Sequence, residues 1–119
     1  NKSKFKKEII EFLTNYMIYH IKLYNEALIY SILNDDLEIT KLLIEKGADP
    51  TYKNNNSLKT AVERENVEIT DLLLKDDRID PSFDNNYLIK TSKNNIIRNM
   101  IIKHPKYIKP YSIFGINLF

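Results

Sequence analysis

Several kinds of residue are scarce or missing in this chain, and each absence excludes a kind of site. There is no cysteine, so disulfides, thiolate metal ligands and a cysteine nucleophile are excluded. The two glycines, Gly47 and Gly115, leave no glycine-rich loop that would hold a phosphate through backbone amides. Lys, Glu or Asn interrupts every apolar run well short of the roughly 18 residues that a membrane-spanning helix needs. Nucleotide-binding, disulfide-stabilised and membrane-spanning functions are therefore not expected.

The residues that are present have the composition of an ordinary globular domain. Hydrophobic residues make up 43% and charged residues 29% of the 119 positions, which favours a single folded domain over disorder. The net charge of +2 is unevenly distributed, since residues 24–80 are strongly acidic whereas residues 1–23 and 81–119 are basic. In an array of repeats this distribution would place an acidic belt between two basic ends, which either steers a partner or keeps the protein soluble.

One stretch of sequence recurs thirty residues later, and this recurrence decides the fold class. Residues 36–50 read DLEITKLLIEKGADP, and residues 66–81 read NVEITDLLLKDDRIDP. Self-similarity at a period of 20 to 50 residues is typical of stacked supersecondary units. Function is then expected on an extended surface, because each unit of such an array contacts only its neighbours.

The recurring stretch has the pattern of an amphipathic helix followed by a turn. Over 37–44 the apolar residues fall at helical spacing, with Asp35 or Asp36 placed to cap the start and Gly47 placed to end the helix. Asn66 takes the capping position in the second copy. The pattern therefore predicts two equivalent short helices.

Further copies extend the array in both directions. A third copy of the helix covers 96–102, and residues 8–13 match 38–43, so an incomplete unit is expected to open the chain. Each of the three complete helices follows a shorter apolar segment, which we interpret as the first helix of a hairpin. These first helices are 27–33, 58–62 and 87–91.

The segments between units are predicted to be ordered loops. Both begin with Asp-Pro and are rich in Asn, over 49–56 and 80–86. Proline moves the residue before it away from helical geometry, and Asn tolerates turns. The resulting division is a partial unit at 1–23, units at about 24–50, 51–80 and 81–106, and a C-terminal cap or truncated unit at 107–119.

Residues 37–49 resemble the second helix and Gly-Ala-Asp turn of an ankyrin repeat. Residues 67–80 resemble the same segment, with Arg78 to Asp80 in place of Gly-Ala-Asp. The resemblance is good over 24–104 and weak over 5–23. It implies an all-α, ankyrin-like helical-hairpin solenoid of three repeats plus a partial N-terminal one.

The chain also departs from the family pattern. The usual unit has 33 residues and opens its first helix with Thr-Pro-Leu-His, of which only the Leu is retained, as Leu28, Leu58 and Leu88. The loops before these helices are about three residues short by the same comparison, so the projecting β-finger of the family is expected to be truncated. The third unit is shorter still between Thr91 and Ile97.

The resemblance implies that a protein partner binds the concave side, through the ends of the first helices and the inter-unit loops. The equivalent first-helix residues are Leu33, Asn34, Glu63, Arg64, Lys93 and Asn94. The loop residues are Tyr52, Lys53, Asn55, Ser82, Phe83 and Asn85. Tyr52 and Phe83 follow each Pro at the same distance. Their rings either anchor the partner or pack inward between units, and both alternatives remain open.

Neither a catalytic site nor a cofactor is expected. His20 and His104 are separated by more than two units, which is too far for a shared metal ion, and His104 suits the carbonyl end of the third second helix. The pairs Asp35–Asp36 and Asp76–Asp77 fall at a helix start and after a helix end, where capping and solvation explain them. We therefore expect a non-enzymatic chain without a metal or other cofactor.

The leading hypothesis is a non-catalytic protein-binding module, monomeric by itself and located in the cytoplasm. Short, Asn-rich repeats of this style are similar to ankyrin families of giant viruses and protists. That similarity implies a viral or host-directed adaptor, in the host cytoplasm. One alternative is the specificity module of a longer adaptor or enzyme.

A second alternative is a nucleic-acid or anionic-surface binder that uses a lysine cluster in each basic end. Lysines interleave with tyrosines in the C-terminal cluster, and neither cluster contains an arginine. These residues are Lys2, Lys4, Lys6, Lys7, Lys103, His104, Lys106, Tyr107, Lys109 and Tyr111. The apolar tail from Tyr111 to Phe119 is expected either to fold back over the third repeat or to begin a further one.

Overall fold

The computed structural model describes residues 1–109, and within that range the chain forms six helices and no strand. The predicted apolar tail, from Tyr111 to Phe119, lies outside the described residues. The helices are α1 (Lys2–Leu33), α2 (Leu37–Glu45), α3 (Tyr52–Glu63), α4 (Val67–Leu74), α5 (Phe83–Thr91) and α6 (Asn95–Ile102).

The helices form three consecutive hairpins, α1 with α2, α3 with α4 and α5 with α6, around one apolar core. Leu28, Leu58 and Leu88, which occupy the same place in the three first helices, are each completely buried. Second helices supply the facing side chains, such as Ile69 and Ile97, which are also completely buried. The all-α hairpin array that the sequence predicted is therefore confirmed.

Helix α1 is much longer than the other first helices. It has 32 residues, about 48 Å at 1.5 Å per residue, and the boundary predicted between residues 23 and 24 lies inside it without a turn. Neither Gly nor Pro occurs before Gly47, so nothing in the sequence stops the helix before Leu33. From Lys2 to Leu23 every side chain except His20 is exposed. The segment 8–13 is thus helical, but it projects from the hairpin array.

The first two hairpins turn through the same hydrogen-bonded motif. After α1, the N–H of Asp35 donates to Ile32 O at 3.0 Å, and the N–H of Asp36 donates to Ser31 O at 2.9 Å. These two bonds define a Schellman turn, which requires a left-handed residue at its centre. Asp35 takes that position with φ of 53°, and Glu65 takes it after α3 with φ of 54°. Most proteins use glycine there, because a Cβ disfavours this geometry.

The predicted caps are confirmed for the second helices. The side chain of Asp36 accepts a hydrogen bond from Ile39 N at 3.0 Å, and that of Asn66 accepts one from Ile69 N at 2.9 Å. Each bond satisfies an N–H that has no partner within the helix. The start of each second helix is therefore determined by neighbours in sequence.

The third hairpin turns differently because its connection is shorter. Helix α5 ends at Thr91 and Asn94 already caps α6, which leaves no room for a left-handed residue. The guanidinium of Arg98 instead reaches back and donates to Ile89 O and, at 3.1 Å, to Ser92 O. Arg98 therefore satisfies Ile89 O, which a Schellman turn at this helix end would otherwise bond, and also Ser92 O.

Helices α3 and α5 each begin with a kinked turn of three consecutive left-handed residues, so their regular right-handed part starts only after residues 55 and 86. The φ angles are 53°, 54° and 60° over residues 53–55, and 51°, 53° and 63° over residues 84–86. Asn and Asp adopt this geometry more readily than other residues with a side chain, and they occupy five of the six positions. This tight turn lies in the short segment for which the sequence led us to expect a truncated finger.

Side chains also tie each unit to the one before it. Arg78 Nη2 donates to Ala48 O at 3.3 Å, and His104 Nε2 lies 2.8 Å from Leu74 O. His104 Nδ1 accepts from Lys106 N at 3.1 Å, which assigns the ring proton to Nε2. His104 therefore bonds to the C-terminal end of a helix, as expected. The helix is α4 of the preceding unit and not α6, because stacking brings the end of α4 within reach of the ring.

Candidate partner-binding surface

The predicted first-helix residues lie at equivalent ends of neighbouring helices. Leu33 and Asn34 end α1, and Glu63 and Arg64 end α3; all four are exposed. Asn34 closes its own helix, because its Nδ2 donates to Tyr30 O at 2.8 Å. The stacked hairpins therefore bring these side chains onto one edge of the array.

Arg64, in the second unit, bonds to Asp35 of the first unit along this edge. Its Nε and Nη2 donate to the two carboxylate oxygens of Asp35 at 3.0 and 2.5 Å, and Asn66 Nδ2 adds a third bond at 3.1 Å. These bonds, chiefly those from Arg64, lower the pKa of Asp35 from 3.8 to about 2. Arg64 thus has a structural partner within the chain.

The ends of α3 and α5 enclose a cleft of about 240 Å³. Glu63 and Lys93 line it from opposite units, together with Val62, Glu65, Thr91 and Ser92. Both charged side chains are exposed, and their opposite charges lie on the two sides of the cleft. Asn94, the last of the predicted first-helix residues, instead caps α6 through bonds of 2.9 and 3.1 Å to Ile96 N and Ile97 N.

Two predicted loop residues converge on one carboxylate of the preceding unit. Tyr52 Oη donates to Glu26 Oε1 at 2.8 Å, and Lys53 Nζ lies 3.0 Å from the same oxygen. Hydrogen bonds from Lys53 and then Tyr52 lower the pKa of Glu26, and Glu26 in turn raises the pKa of both partners. The contact holds the loop against α1.

Phe83 has the equivalent position in the next loop and packs inward. Its ring is partly buried against the apolar core, and Lys59 Nζ lies 5.5 Å from the ring centroid and 4.9 Å from that of Tyr87. Together with the bonding of Tyr52, this geometry supports the alternative in which both rings pack between units.

The remaining predicted loop residues shape the backbone. Ser82 Oγ accepts from Ile108 N at 2.6 Å, while Asn55 and Asn85 belong to the left-handed turns. These roles arise from contacts within the chain. Any role of the three residues in binding a partner stays a prediction.

A second groove, of about 580 Å³, was not predicted from the sequence. It lies at the C-terminal ends of α4 and α6, and its lining includes Leu74, Asp76, Asp77, Met100, Lys103 and Lys106. Nothing in one unit alone indicates the groove, because its walls belong to two units.

The two basic ends differ in their surroundings. Lys2, Lys4, Lys6 and Lys7 are all exposed at the projecting start of α1. Near the other end, Lys106 Nζ donates to Asp77 O, and Tyr107 packs against the core. Tyr111 lies outside the described residues. The N-terminal lysines are therefore all presented to solvent, whereas the C-terminal cluster combines the exposed Lys103 and Lys109 with side chains that contact the rest of the chain.

Residues 1–109 lack the features of two further kinds of site. No group of three or more His, Asp or Glu side chains in that range is arranged to hold a metal ion. None of its helices combines the length and the apolar composition that a bilayer crossing demands.

The family model for ankyrin repeats, in three copies, matches residues 2–85, which is more than half of the chain. The match runs from the start of α1 into α5 and stops before α6. The chain matches no curated protein and no solved structure closely enough to identify an individual relative.

Proposed function

We propose, from the premise that this chain belongs to the ankyrin-repeat family, that it is a non-catalytic module binding a protein partner along the ends of its first helices. Ankyrin repeats generally mediate protein–protein interaction and are typically non-catalytic. In this family the concave side commonly makes such contacts. We place the contact centre at the end of α3, where the second and third units meet.

The observation that carries this proposal is the cleft between Glu63 and Lys93. Both residues were selected by position in the repeat, and both line a concave feature of the folded chain. Opposite charges on its two sides favour a partner segment that carries a basic and an acidic side chain close together, because complementary charges set orientation and specificity. Tyr52 and Phe83 contribute by holding the loops in place.

A double charge reversal tests the proposal. Glu63→Lys with Lys93→Glu preserves the net charge and exchanges the two sides of the cleft. The control, Lys41→Glu with Glu68→Lys, reverses two exposed charges on the second helices. Each protein is used as bait in lysate of its own source cells, and retained proteins are identified by mass spectrometry. The strongest wild-type partner is then titrated against purified baits.

We expect the cleft variant to bind that partner about tenfold to a hundredfold more weakly, whereas the control binds like the wild-type chain. Thermal unfolding of both variants should stay within about 5 °C of the wild-type chain. The cleft variant loses the 3.5 Å bond from Tyr87 Oη to Glu63, and the control loses the favourable charge of Glu68 in the first turn of α4. A partner that binds the cleft variant and the wild-type chain equally well would refute the proposed location.

A second candidate is binding to nucleic acid or an anionic surface, favoured by the exposed Lys2, Lys4, Lys6 and Lys7. It predicts that affinity falls steeply with salt, by a slope of roughly 0.9 per duplex phosphate contacted. Absence of filter binding at low salt would exclude the nucleic-acid form. A cytoplasmic location, a host-directed adaptor role and membership of a longer adaptor or enzyme stay predictions.

A further inference from the structure

One face of α1 carries an apolar stripe that the fold does not use. Its members are separated alternately by four and three residues and are 43% to 68% exposed. They are Phe5, Ile9, Phe12, Tyr16, Tyr19 and Leu23. The same segment also exposes Ile10, Leu13, Met17, Ile18 and Ile21 outside this row, but the row of six is the longest line among them and exceeds what single scattered surface residues would explain.

The stripe points away from the hairpin array. The residues of α1 that meet the core are Tyr24, Leu28 and Ile32. At 100° per residue, the centre of the stripe lies about 140° around the helix from the centre of that row. Its own unit therefore cannot cover the stripe while α1 is straight.

The spacing of the stripe indicates the kind of partner. The six members span 18 residues in five steps, an average of 3.6, so the row stays on one face of a straight α-helix and a second helix lying alongside can cover it. The next position of the row, Glu26, is bonded to Tyr52 and Lys53, so the free stripe ends at Leu23. An occupant is thus a helix of about the length of residues 5–23.

We propose that this occupant is α1 of a second copy of the chain, paired antiparallel about Thr14. Phe5 then faces Leu23 of the second copy, Ile9 faces Tyr19 and Phe12 faces Tyr16, and each contact occurs twice by two-fold symmetry. This replaces the monomer that we expected from the sequence. It uses a surface separate from the cleft between α3 and α5.

Charge selects the antiparallel orientation. Glu8 and Lys22 flank the stripe on the same side, so an antiparallel pair places Glu8 of one copy beside Lys22 of the other, at both ends. Among residues 1–109 neither side chain takes part in an ion pair within the chain. A parallel pair would instead bring the two clusters of Lys2, Lys4, Lys6 and Lys7 together.

The area is sufficient for a dimer. Twelve partly exposed side chains, at roughly 100 Å² each, would bury on the order of 1,200 Å², which is the lower end of the range for specific interfaces. We therefore expect a reversible dimer at micromolar to tens of micromolar chain concentration, a range that sedimentation equilibrium measures directly.

Charge reversal with rescue tests the proposed register. Glu8→Lys and Lys22→Glu are each expected to raise the dimer dissociation constant about tenfold, since two attractive pairs become repulsive. The double variant, which restores both pairs with exchanged signs, should return to within threefold of the wild-type chain. Additive weakening in the double variant would refute the antiparallel register.

A matched pair of substitutions tests the stripe itself. Phe12→Asp is expected to abolish the dimer, whereas Met17→Asp, at a side chain of similar exposure on another face, should leave it unchanged. Circular dichroism and thermal unfolding check that both variants keep their helices. A wild-type chain that stays monomeric at 100 times the expected concentration range, or a dimer that tolerates Phe12→Asp, would overturn the proposal. Neither result bears on partner binding at the cleft.

Discussion

Glu65 offers a direct test of how the first two hairpins turn. It holds φ of 54° at the centre of the Schellman turn between α3 and α4, where a Cβ costs about 1 to 2 kcal/mol. Glycine removes that strain but gives up about 0.5 to 1 kcal/mol of chain entropy on folding. Glu65→Gly should therefore stabilise the chain by about 0.5 to 1 kcal/mol, a rise in Tm of about 2 to 5 °C.

The control is Glu65→Ala, which removes the same exposed carboxylate but keeps the Cβ. It should stay within about 0.5 kcal/mol of the wild-type chain, as is usual for surface changes. Urea unfolding followed by circular dichroism gives both free energies, provided that the slope with denaturant is the same for all three proteins. If the glycine variant is no more stable than the alanine variant, the positive φ angle at position 65 does not cost the chain stability, and the reasoning is refuted.

Two further predictions concern contacts between residues that are not neighbours in the sequence. Because the pKa of Asp35 is lowered from 3.8 to about 2, its bonds to Arg64 and Asn66 contribute stability above pH 3.8 that is lost as pH falls through 2. Urea unfolding across this window should show a smaller loss of stability for Asp35→Asn than for the wild-type chain, and identical pH profiles would contradict the assignment. Arg98→Leu should destabilise the chain by about 1 to 3 kcal/mol, because Ile89 O and Ser92 O lose a charged donor. Lys90→Leu, an exposed change in the same hairpin, should cost less than about 0.5 kcal/mol in the same assay.

The parts of the fold that were predicted correctly depend on residues close in sequence. Asp36 and Asn66 cap helices that begin at the next residue, and an N-cap bond reaches only three residues ahead. The thirty-residue period likewise located the first helices, which retain a buried leucine in each unit. The caps are visible in sequence because the bonded groups are no more than a turn apart, and the leucines are visible because the same pattern recurs in each unit.

The candidate site was predicted less completely. Their positions in the repeat were enough to select Glu63 and Lys93. The sequence indicated neither the cleft between them nor the ion pair of Arg64 with Asp35. Tyr52 and Phe83 were placed at equivalent positions of the repeat. Only the structure shows that Tyr52 bonds to Glu26 of the preceding unit and that Phe83 packs against the core. Each of these facts depends on the distance between units, which a linear pattern does not contain.

By itself, the sequence determined that this chain is a helical repeat array, where its second helices begin and why its loops are rich in Asn. These properties follow from periodicity, caps and backbone preferences, all of which act over a few residues. Only the tertiary structure decided that α1 continues through the predicted boundary, that His104 bonds α4 and that an apolar stripe is left uncovered. Those outcomes depend on which groups about thirty residues apart come within a few ångströms, and stacking sets those distances.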